Sequence, residues 1–122
     1  MNLYLLSAAG LSACWMLVHA IIGGRQCERP LAANTTLPDE VRETMILCWH
    51  LVTGMLALMA LFLALGALGR RDMALAGVLL AAMSAGIGIS VPPLRRLSYA
   101  VLPQGWLFVP VMLLGAWGLW GG

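Results

Sequence analysis

An all-α fold, a polytopic membrane protein with four transmembrane helices in an antiparallel up-down bundle, is predicted by three observations. Almost all apolar residues fall into four runs, at residues 3–22, 45–68, 73–91 and 97–120. No Asp, Glu, Lys or Arg lies inside any of them, and the only histidines there are His19 and His50. Hydrophobic residues make up 61% of the chain and charged residues 10%, whereas a soluble domain carries about 25% charged residues. A hydrocarbon core about 30 Å thick needs roughly 20 residues of helix, and each run supplies about that length.

The chain therefore forms one transmembrane domain, 1–122, with helices expected at about 3–22, 37–68, 73–91 and 99–120. The first helix has no basic residues ahead of it, and its apolar stretch exceeds the roughly 7–15 residues of a signal peptide. It is expected to be retained, and to stop at the breaker Gly23-Gly24. The next connection carries Arg25, Cys27, Glu28, Arg29 and Pro30 and ends in Asn34-Thr35-Thr36-Leu37-Pro38. Thr36 is the expected N-cap of the second helix, with Pro38, Asp39, Glu40 and Glu43 near the positive end of its dipole. Arg70-Arg71-Asp72 makes so short a turn that the second and third helices should pair as a hairpin. The third helix is expected to end at Val91-Pro92-Pro93. Pro110 should bend the fourth helix, and Trp106, Trp117 and Trp120 sit near its ends, where indole rings favour the headgroup level.

Composition bounds the function. So apolar a chain leaves no room for a soluble catalytic unit. A net charge of +2 without a basic tail excludes nucleic acid as a partner, and the lipid bilayer is the partner expected. All seven basic residues are Arg. With the Ala, Gly and Leu content, this suggests a GC-rich bacterial genome and the bacterial inner membrane. Three cysteines without CxxC spacing form neither a zinc ribbon nor a disulfide framework. Four crossings put both termini on one side. Arg counting places the loops holding Arg25, Arg29, Arg42, Arg95 and Arg96 in the cytoplasm. Glu28, Asp39, Glu40 and Glu43 on those same loops oppose this, so the side is left open.

Small residues recur where helices can approach closely: Gly77, Ala81 and Ala85 on the third helix, and Gly115, Gly118 and Gly122 on the fourth. These seams serve either a tight monomer or a homodimer.

His19 and His50 carry the functional expectation, because an ionisable residue is costly in hydrocarbon. Each lies roughly 6–8 Å inside the same leaflet at 1.5 Å per residue, so the two imidazoles are expected to face one another or share a ligand. Asp39, Glu43, Ile46, His50, Thr53 and Gly54 fall on one stripe of the second helix, while Ser12, Trp15 and His19 share a face of the first. With Arg25 and Arg29 above and Trp49 nearby, these residues outline a polar ligand pocket. Two imidazoles suit a transition metal, with His19 and His50 as ligands and Glu43, Cys27 or Glu28 completing the shell. Haem b is less favoured, because adjacent helices lie only about 8–10 Å apart. Small-ligand or metal binding is the first expectation. A structural or accessory subunit of a larger complex and a dimeric proton-coupled carrier are the alternatives.

The arrangement His19, Gly23-Gly24, Pro30-Leu31, Cys48-Trp49-His50, Thr53 resembles that of small, uncharacterised four-helix membrane proteins of bacteria. The resemblance covers roughly the first half of the chain and implies no activity.

Overall fold

The computed structural model describes residues 1–121. Among them the chain forms four helices and no strand: α1 Leu3–Ala32, α2 Asp39–Ala67, α3 Arg71–Leu94 and α4 Gln104–Trp120. The first three, at 30, 29 and 24 residues, are long and apolar enough to cross a membrane. Helix α4 has 17 residues, about 25 Å at 1.5 Å per residue. Each helix packs against its neighbour in sequence, and α4 closes back on α1.

Helix α1 does not stop at Gly23-Gly24. It widens into a π-helix over Val18–Glu28 and ends one α-turn later. The glycine at 23 serves close approach: a Cβ there would lie 2.9 Å from Cη2 of Trp49 on α2. Thr36 does not cap α2. Asn34 Oδ1 instead accepts from the backbone N–H groups of Thr36 and Leu37 at 2.8 and 3.0 Å, turning the chain into Pro38 and α2.

Helix α2 ends in a Schellman motif. Gly69, at φ 102°, donates to Gly66 O, and Arg70 donates to Leu65 O. Helix α3 runs past its expected end and includes Pro92 and Pro93. Pro93 has no N–H to offer Ile89 O, and the Tyr99 hydroxyl fills that place at 2.7 Å. The same motif then closes α3, with Arg96 N–H on Pro93 O and Leu97 N–H on Pro92 O. Arg96 occupies the left-handed position, φ 56°, where glycine is usual. The turns that follow delay α4 to Gln104 rather than about residue 99.

Two sets of close contacts fix the ends. At the end holding the N-terminus, Asn2 Oδ1 accepts from the N–H groups of Tyr4 and Leu5, both at 3.1 Å. Its Nδ2 donates to Gly118 O at 2.6 Å, and its backbone N–H donates to Ala67 O. One residue thus caps α1 and binds the last turns of α2 and α4. At the opposite end Gly88 and Gly105 meet backbone to backbone. Between them small residues of the seams meet side chains of neighbouring helices: Gly77 lies on Leu63, Gly115 on Val78 and Gly118 on Leu5, while Gly122 lies outside the described residues.

Candidate functional site

Along α2, Met45, Trp49, Val52, Leu56, Met59, Leu63 and Gly66 are spaced alternately by four and three. The lower members, from Leu56 onward, are buried against α1 and α3. The upper members face a cavity of about 650 Å³. Its walls come from α1 between Trp15 and Cys27, α2 between Thr44 and Leu56, and the start of α4 from Pro103 to Phe108. Helix α3 contributes nothing to the lining. Within this lining the Trp15 indole N–H donates to Leu107 O at 3.0 Å and ties α1 to α4.

His19 is the histidine of this cavity. Its ring stacks on Trp49 with centroids 3.9 Å apart and planes 17° from parallel. Nε2 lies 3.3 Å from Trp49 O, which also accepts the Thr53 hydroxyl at 3.2 Å. A carbonyl only accepts, so in the neutral ring Nε2 bears the proton and Nδ1 the lone pair. Nδ1 receives no hydrogen bond from the described residues, and no fully buried side-chain N or O among them lacks a partner. Nδ1 is therefore accessible.

The two imidazoles do not meet as expected. His50 is exposed and lines no part of the cavity. Successive helical residues point about 100° apart at 3.6 residues per turn, so with Trp49 turned toward His19, His50 faces outward. Other expected partners lie elsewhere. Exposed Glu43 pairs with Arg42 at 3.1 Å, and Asp39 takes the same guanidinium at 2.8 Å. These carboxylates, Glu43 first, hold Arg42 above its ordinary value. Arg25 and Arg29 are exposed and outside the lining. Thr53 contributes only its bond to Trp49 O. Of the eight predicted residues, the structure brings His19, Trp15 and Trp49 together at the cavity.

Among the described residues no group of three or more His, Cys, Asp or Glu side chains is placed to hold a metal ion. The cavity supplies one of the two expected imidazole ligands. Sequence reasoning placed Gln26 in the loop over the pocket but missed Gln104, the other carboxamide in the lining, and Phe108. Gln104 stands inside the apolar run 97–120, and a carboxamide there was the available signal. Comparisons with protein families, with curated proteins and with solved structures return no match to this chain.

Proposed function

We propose that the chain is a four-helix bundle of the bacterial inner membrane that binds a small membrane-dissolved molecule in the cavity among α1, α2 and α4. The observation that carries this reading is His19, held by Trp49 inside an otherwise largely apolar cavity, with Nδ1 accessible. A volume of about 650 Å³ lies within the roughly 300–1,000 Å³ range of ligand pockets, which combine apolar walls with a few placed polar groups. Insertion in lipid is supported by the large apolar side chains on the outside, such as Leu51 at 63% and Leu79 at 59% exposure. Metal and haem do not enter the proposal, because His50 stands away from the cavity.

Cysteine labelling tests it. Cys48 lines the cavity and Cys14 does not. In lipid nanodiscs, decylbenzene should slow maleimide labelling of Cys48 and leave Cys14 unchanged. Val52→Trp, which fills the cavity, should slow Cys48 labelling without any ligand. Equal labelling of Cys48 in all three conditions contradicts the proposal.

A second reading, an accessory subunit of a larger membrane complex, is favoured by the outer face of α2. There His50, Gly54 and Ala57 are exposed, and nothing lies within 4 Å of a Cβ placed at Gly54. A photo-crosslinker at position 54, used in native membranes, should give a discrete protein adduct. Lipid adducts alone oppose this reading.

A further inference from the structure

We infer that the molecule held in the cavity is a neutral amphiphile with a hydroxyl-bearing ring, the chemistry of a prenylated quinol, and that its hydroxyl donates to Nδ1 of His19. The inference rests on the cavity reading above.

Four observations converge on this class. No Asp, Glu, Lys or Arg lines the cavity. A charged headgroup placed there would be desolvated without a counter-charge, which is strongly unfavourable, so the ligand is neutral. Trp49 O fixes the imidazole with Nε2 as donor. The accessible Nδ1 is then an acceptor, and its natural complement is an O–H rather than a carbonyl. Trp15 and Phe108 stand in the same lining as the stacked His19–Trp49 pair and offer flat surfaces to a ring. Val18, Ile22, Met45 and Leu56 supply apolar wall for an attached chain. At the lining's polar positions, Gln26 and Gln104 carry both donors and acceptors, suited to a ring's second oxygen.

A matched pair of probes isolates the claim. Decyl-benzoquinol and decyl-benzoquinone share shape and chain, but only the quinol has O–H donors. Binding of each is measured anaerobically by calorimetry in detergent, with empty micelles subtracted and decylbenzene as the apolar reference. The wild-type chain should bind quinol about tenfold more tightly than quinone, the worth of one hydrogen bond to a placed acceptor. His19→Leu should erase that preference and keep decylbenzene binding. Should His19→Leu fail to fold, the wild-type ratio still decides.

Equal binding of quinol and quinone, with decylbenzene still bound, overturns the inference and leaves the cavity reading standing. Displacement of quinol by equimolar phosphatidylglycerol also overturns it, in favour of an anionic lipid. If neither quinol nor decylbenzene binds and Val52→Trp changes nothing, the cavity reading fails and the inference fails with it.

Discussion

Replacing Gly105 with Ala sets a methyl group against backbone rather than against a side chain that can rotate away. Its Cβ would lie 2.5 Å from Ile89 N and 2.6 Å from Gly88 O, and the carbonyl carbon of Gly88 is closer still. Relief requires α3 and α4 to separate where Gly88 and Gly105 touch. Overpacking a well-packed contact costs typically 1–3 kcal/mol, and backbone-on-backbone contact belongs at the upper end, about 3 kcal/mol. Gly86, two residues from Gly88 on the same helix, is exposed and has nothing within 4 Å of its Cβ position. Gly86→Ala should therefore gain about 0.8–1 kcal/mol of helix propensity. The two substitutions are chemically identical and should differ by about 4 kcal/mol. Reversible unfolding in mixed micelles, titrated with SDS and followed by circular dichroism, reads both. A Gly105→Ala protein within about 1 kcal/mol of wild type, inside the lower part of that range, would refute the close α3–α4 approach.

Other expectations follow from the helix ends and from the outward histidine. Asn2→Ala removes the cap of α1, about 1 kcal/mol, and the bond to Gly118 O, about 1 kcal/mol more. The same unfolding assay should show a loss near 2 kcal/mol, with decylbenzene binding at the far end unchanged. His50→Leu should leave cavity binding intact and stability no lower than wild type within about 0.5 kcal/mol, because His50 is exposed on the outer face of α2. Asp72 lies in the first turn of α3, ahead of the apolar run 73–91, where the Arg70 side chain, followed by the Met73 N–H, holds its carboxyl below the ordinary carboxylate range. A lowered carboxyl stabilises the fold at pH above its ordinary value of about 4, and the contribution is lost as pH falls through the lowered value. The unfolding midpoint should therefore drop on acidification below that point, and Asp72→Asn should flatten the dependence.

The helices were largely legible in the sequence because long uncharged apolar runs are rare, and each of the four marked one helix. Their ends were less so. Gly23 is a helix breaker by general tendency, yet here it makes room for the Trp49 ring inside a continuing helix. Pro93 continues α3 for a last turn because a distant hydroxyl, that of Tyr99, takes the carbonyl it leaves free. Neither partner is visible from local sequence.

The inner face of each helix was the harder problem. Apolar periodicity usually marks the buried side of a helix, but these helices are apolar nearly all round and the period fades. Polar residues were used as the marker instead, and on α2 they misled. The stripe through Glu43, His50 and Gly54 faces outward, while Trp49 and Cys48 line the cavity. The four-and-three spacing from Met45 to Gly66 held the correct face, as coiled-coil-like packing requires. On α1, polarity and packing coincide, and His19 and Trp15 both line the cavity.

The central claim is that His19, and not His50, is the polar anchor of a ligand cavity. The most direct test is the imidazole nitrogen NMR spectrum of histidine-labelled protein, assigned with His19→Leu and His50→Leu. At a pH where the rings are neutral, His19 should show a protonated Nε2 and an unprotonated Nδ1. Adding decyl-benzoquinol should shift His19 Nδ1 and leave His50 unmoved. A His19 protonated at Nδ1, or a response at His50 in place of His19, would contradict the account.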